Sequence, residues 1–110
     1  MSFEEHVKGA LDSLPEHIAA ALENVAVVIE DENPEDPDLF GLYSGTPLPE
    51  RTSQSVGGLP DKISIYRFPL EDEFGADPEL LEREIRITVL HELGHYFGIE
   101  EDRIAELGYE

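Results

Sequence analysis

One long helix, written between Asp77 and Gly98, dominates the chain. Asp77-Pro78-Glu79 forms a helix start: the Asp77 carboxylate can accept from free amides, Pro78 needs no N–H at the first position, and Glu79 suits the positive end of the dipole. Leu81, Ile85, Val89 and Leu93 recur at four-residue spacing and are joined by Leu90 and Phe97. The helix is therefore predicted to run to Phe97, with its C-terminal half mostly buried. Glu79 with Arg83, and Glu82 with Arg86, stand four apart in the favourable order and are expected to pair. Gly98 can take the left-handed conformation that ends a helix, after which Glu101 to Leu107 reads as one or two further turns. With 110 residues, the chain makes one domain, 1–110, around this central helix.

Upstream, Phe3, Val7, Ala10, Leu11 and Leu14 recur at helical spacing, and Pro15 breaks this segment from a second short turn through His17, Ile18 and Leu22. His6 and His17 lie on polar parts of these helices, without a partner at ligand spacing, and are expected to be solvent-exposed. Val25 to Ile29 is continuous and β-branched, which predicts a strand buried on both faces. A loop is expected from Glu30 to about Pro60, rich in proline, and a loop of this length is expected either to wrap a site or to be mobile. Its acidic residues, Glu30, Asp31, Glu32, Glu35, Asp36 and Asp38, lack the spacing and glycine of a calcium loop and read as a solvated surface. Asp61 to Phe68 alternates Ile63, Ile65 and Phe68 against Lys62, Ser64 and Arg67, predicting a second strand.

Seven basic residues stand against 26 acidic ones, a formal charge of −19. Such a surface repels phosphate backbones and anionic lipid, which argues against nucleic acid or membrane partners and leaves basic or neutral ones. The charge alone is also compatible with an acidic decoy for a nucleic-acid-binding protein, but its spread along the whole chain favours plain solubility. The N-terminal segment carries acid from Glu4 onward and reads as no signal peptide, and no apolar stretch approaches a membrane span. There is no cysteine, so the expectation is a reducing, cytoplasmic setting, and any metal must be held by histidine and carboxylate.

The chemistry sits on the long helix, in His91-Glu92-Leu93-Gly94-His95. Residues four apart share a helix face, so both imidazoles can reach one ion while Glu92 lies beside them to work on a water molecule. Gly98 follows at the turn, and Glu101 supplies a carboxylate three residues later. Two nitrogens and one oxygen leave a fourth position open, which is the donor set of a catalytic zinc site. Asp102 is the next candidate for third ligand, and Glu100 or Glu106 could substitute if the turn differs. Without a metal, these polar groups on an apolar half of a buried helix would be costly.

The run from Val89 to Ile99, then Glu101-Asp102-Arg103-Ile104 and Glu106-Leu107-Gly108, resembles a family of small bacterial zincin-like metallopeptidases. The resemblance extends to Gly41-Leu42-Tyr43-Ser44-Gly45-Thr46-Pro47-Leu48 with Arg51, and to Leu59-Pro60-Asp61-Lys62-Ile63. It implies an α+β, minimal zincin-like fold: a small sheet packed against the active-site helix and an N-terminal helix. The family pattern H-E-x-x-H-x-x-G-x-x-D implies a metal ligand at its last position, where this chain has Glu101. Third-histidine relatives have a methionine turn below the metal, whereas Met1 is the only methionine here, and Tyr109 is the candidate for an aromatic floor.

The reaction implied is zinc-dependent hydrolysis of peptide bonds, with His91, His95 and Glu101 on the metal and Glu92 as general base. Tyr43 and Tyr66 are candidate donors to the oxyanion, although a tyrosine at either place is more often a packing residue. A peptide or protein substrate could add as a strand along the edge of the sheet containing Asp61 to Phe68. The protein is expected to be a monomer or small homo-oligomer. The alternative reading is a catalytically silent module that keeps the zincin scaffold for binding or regulation.

Overall fold

The computed structural model describes residues 2–45, 61–99 and 101–106. Ser2 opens helix α1 (Phe3–Asp12) with a reciprocal cap: its hydroxyl accepts from the Glu5 amide at 3.2 Å, and Glu5 Oε1 accepts from the Ser2 amide at 3.4 Å. Pro15 separates α1 from α2 (Glu16–Ala21), and a 3-10 turn, Leu22–Asn24, leads into strand β1 (Val25–Glu30). Then come β2 (Gly41–Ser44), β3 (Asp61–Tyr66), α3 (Arg67–Phe74), α4 (Pro78–Tyr96) and α5 (Glu101–Glu106). Among the described residues, no helix is long and apolar enough to cross a membrane.

The three strands form one sheet in the order β1-β3-β2. β1 runs parallel to β3 with Val25 opposite Asp61, and β2 runs antiparallel with Gly41 opposite Ile65. Phe3, Val7 and Ala10 of α1 share a core with Ile63 and Ile65 of β3 and with Leu81, Ile85, Val89 and Leu93 of α4. Ile63, Ile65, Ile85 and Val89 are wholly buried, and each such side chain removed from water contributes about 1.5–3 kcal/mol. This is the expected α+β arrangement, a small sheet against the long helix with an N-terminal helix beside it.

Several expectations are corrected. β1 is an edge strand: only Val25 is fully buried, and the strand buried on both faces is β3, which has a neighbour on each side. β3 ends at Tyr66, because Arg67 and Phe68 begin α3. Pro69 sits in the first turn of that helix, where a missing N–H costs little, and Phe68 is left 43% exposed with the Arg67 guanidinium 4.9 Å from its ring centroid. The predicted loop from Glu30 contains a strand, β2, while its part from 46 to 60 lies outside the described residues.

Before β2, the buried Asn33 holds the chain in a turn. Its Oδ1 accepts from the amides of Glu35 and Asp36 at 2.8 and 3.0 Å, and its Nδ2 donates to the Tyr66 hydroxyl at 2.9 Å. Arg67 closes the same corner against Asp31 at 2.6 Å, and that hydrogen-bonded carboxylate raises its already high pKa.

α4 begins as expected, with Asp77 Oδ1 accepting from the Glu79 and Leu80 amides at 3.1 and 3.3 Å and Pro78 in the first position. It ends in a Schellman arrangement, in which Gly98 N donates to His95 O and Ile99 N to Gly94 O, with Gly98 at φ 78°. Two details differ. Phe97 is 38% exposed, and Tyr96 takes the buried place. Among the described residues neither expected pair is made: no ion pair joins Glu79 to Arg83, and Arg86 donates to Ser13 Oγ at 3.1 Å while Glu82 faces His6. His6 is buried rather than exposed, because it falls on the face of α1 that carries Phe3, Val7 and Ala10, with Nδ1 3.6 Å from Glu82 Oε2. His17 is exposed, as expected.

Candidate metal centre

His91 and His95 lie four residues apart on α4, and their ring centroids are 5.1 Å apart. Each helical residue turns by about 100°, so the two imidazoles share a face and Glu92 points to its flank. That flank is covered by β2. Phe40 O accepts from Tyr66 N at 2.9 Å, which sets the ladder phase and turns the main-chain groups of Gly41 and Tyr43 away from β3. The Tyr43 amide donates across this edge to Glu92 Oε1 at 3.0 Å.

Glu92 is 8% exposed, and a carboxylate so placed needs a donor, which the Tyr43 amide provides. With Oε1 anchored, Oε2 lies 3.9 Å from His91 Nε2. The close fit of strand to helix depends on Gly41. A β-carbon there would stand 2.6 Å from Thr88 Cγ2 and 3.0 Å from the Ser64 carbonyl oxygen. Tyr43 packs its ring edge-on against Tyr96, with centroids 5.9 Å apart.

The Schellman turn reverses the chain just after His95 and starts α5 at Glu101. The Glu101 side chain, like Glu100 and Tyr109, lies outside what the structure describes. Among the described residues no group of three His, Cys, Asp or Glu side chains is placed to hold a metal. Asp102 is exposed, and the exposed Glu106 pairs with Arg103 at 3.1 Å. Tyr66 is engaged by Asn33 as a packing residue. Two parts of this site escape sequence reasoning: the Tyr43 amide, because a main-chain donor has no letter of its own, and Gly41, whose only signal is a glycine within a strand.

A cavity of about 210 Å³ opens beside His91 and Glu92. It is lined by Leu39, Phe40, Gly41, Glu84, Ile87 and Thr88. Glu84, Thr88, His91 and His95 rise along one side of α4 at steps of three or four, so the cavity continues the histidine face toward the helix start.

No curated protein matches the chain. Residues 22–109 match the model of the family described as zincin-like metallopeptidase, a span that begins just before β1 and takes in all three strands, α4 and the H-E-x-x-H motif. That covers most of the chain, which therefore belongs to the zincin-like metallopeptidase family.

Proposed function

We propose that this chain is a zinc-dependent peptidase in which His91, His95 and Glu101 hold the metal and Glu92 is the general base. The reading is carried by the state of Glu92: a buried carboxylate with one oxygen fixed by the Tyr43 amide and the other turned toward His91. A purely structural metal site has no use for such a group. The donor types fit zinc, since two imidazoles on one helix face and a carboxylate from the next helix leave one position open.

When bound, zinc supplies Lewis acidity and lowers the pKa of water to about 7. This chain supplies the proton path. Glu92 Oε2 accepts the proton of the attacking water and later returns it to the leaving amine, while the Tyr43 amide keeps Oε1 from rotating into that role. Substrate adds along the outer edge of β2, where the register turns the remaining main-chain groups of Gly41 and Tyr43, with affinity from backbone hydrogen bonds. Peptides of basic or neutral character suit the charge of −19.

The test combines metal analysis and calorimetric zinc titration of wild type, His95→Ala and Glu92→Gln with assays on a mixed peptide library. One zinc is expected in wild type and in Glu92→Gln and none in His95→Ala, with cleavage by wild type alone; Glu92→Gln is expected to lose about 10²–10⁴-fold in turnover. Tight zinc without any cleavage would replace the peptidase by a binding module on the same scaffold. Absence of zinc binding would remove the metal centre altogether.

A further inference from the structure

We infer that the cavity beside His91 is a subsite for a long basic side chain, lysine or arginine, of the substrate residue next to the bond cleaved, with Glu84 as its counter-charge. The inference rests on the peptidase reading for the identity of the site, and on the cavity itself for the chemistry.

The walls are made by Leu39, Phe40, Ile87 and the methyl of Thr88, so an entering side chain meets hydrocarbon along its length. Apart from His91 and Glu92, which belong to the centre already described, Glu84 is the one charged residue on the lining among the described residues. It stands seven residues before His91 on the same face of α4, about 10 Å along the helix axis toward the helix start. Glu84 is partly buried, and no Lys, Arg or His among the described residues pairs with it. Thr88 Oγ1 donates to the Glu84 main-chain carbonyl at 2.8 Å, which leaves the Glu84 carboxylate free of that bond.

An apolar-walled cavity with a glutamate on its lining matches an alkyl stem that carries a cation. An aliphatic side chain would fill the walls and leave Glu84 partly desolvated without a partner. An acidic one would face Glu84 directly. The cavity volume of about 210 Å³ is ample for a lysine or arginine side chain. The 26 acidic residues attract any basic peptide from a distance, whereas a charge fixed on the cavity lining, as Glu84 is, makes the preference depend on where in the peptide the cation lies.

The experiment measures binding without turnover. Zinc-loaded Glu92→Gln is titrated with alanine-based heptapeptides that carry one Lys, Arg, norleucine or Glu at each position in turn. We expect about tenfold tighter binding of Lys or Arg over norleucine at one position only, the size of a charge-assisted hydrogen bond. Adding Glu84→Gln should abolish that preference, and adding Glu84→Lys should shift it to the Glu peptide. Glu79→Gln, which removes the same charge from an exposed site on the same helix, should leave it intact. A preference that survives Glu84→Gln, or that Glu79→Gln weakens equally, overturns the inference in favour of general electrostatic attraction. Cleavage of the library by wild type is scored in parallel. Turnover without selection for a basic residue sinks the subsite and spares the peptidase, whereas positional binding without turnover sinks the peptidase and spares the subsite.

Discussion

Gly41 carries no chemistry, yet the site depends on it. It lets β2 approach α4 closely enough for the Tyr43 amide to reach Glu92, and any β-carbon there meets both a side chain and a main-chain oxygen. A threonine methyl can give way; the Ser64 carbonyl is held in the sheet. Gly41→Ala is therefore expected to cost about 1–3 kcal/mol, read by urea unfolding of the metal-free protein. Thr88→Ser removes the methyl at 2.6 Å and keeps the hydroxyl bond to Glu84, so the double variant should recover part of the loss. A strictly additive double variant would show that the two residues do not meet. Residues of this kind were the least legible in the sequence. His91, Glu92 and His95 announce themselves because their side chains are rare on an apolar helix. The Tyr43 amide and Gly41 act through main chain, and at His6 the polarity of the side chain argues for exposure while its place on the face of Phe3, Val7 and Ala10 decides its burial.

At the scale of elements, the legible parts were those with signals of their own. α4 carried a cap, a proline, an apolar stripe and a terminal glycine, and it runs within a residue of where these place it. The errors cluster where tertiary pairing decides. Nothing local in Val25–Ile29 says that the strand will sit at an edge, and nothing local in Gly41–Ser44 separates a four-residue strand from loop. Phe68 falls out of the two-residue phase of Ile63 and Ile65, and Pro69 ends any claim to a ladder within the first turn of α3. The turn from α4 to α5 sets the start of the helix that carries Glu101, the proposed third ligand. Gly98 at φ 78° is the joint. Gly98→Ala is expected to destabilise the protein by about 1–2 kcal/mol and to weaken zinc binding, while Gly98→Asn, which tolerates this conformation, should retain most of both. Calorimetric zinc titration beside urea unfolding checks the pair. Lost stability with unchanged zinc affinity would mean that α5 contributes no ligand.

For the whole molecule, two couplings follow from its composition. If the proposed zinc centre forms only in the folded chain, it links zinc to stability: at free zinc about 100 times the dissociation constant the gain would be about 2.7 kcal/mol, on the order of 10 °C in Tm for a domain of this size. Chelator should reverse the gain, and His95→Ala should not show it. The second coupling is to salt. Seven basic residues can neutralise at most seven of the 26 acidic charges, so a net charge of −19 remains near neutral pH. The ion pairs Lys8–Asp12, Arg67–Asp31 and Arg103–Glu106 are largely exposed, and such pairs contribute little that salt could remove. Folding crowds the uncompensated charges together, and the repulsion reaches across about 30 Å at 0.01 M salt but only about 10 Å at 0.1 M. Repulsion therefore outweighs pairing, and the sign is set: Tm of the metal-free protein should rise as potassium chloride goes from about 0.01 to about 0.1 M. A fall over that range would mean that the few ion pairs dominate. The same salt series should weaken basic peptides at every position, whereas the contribution of Glu84, within an apolar-walled cavity, should fade less, so positional preference should grow relative to overall affinity.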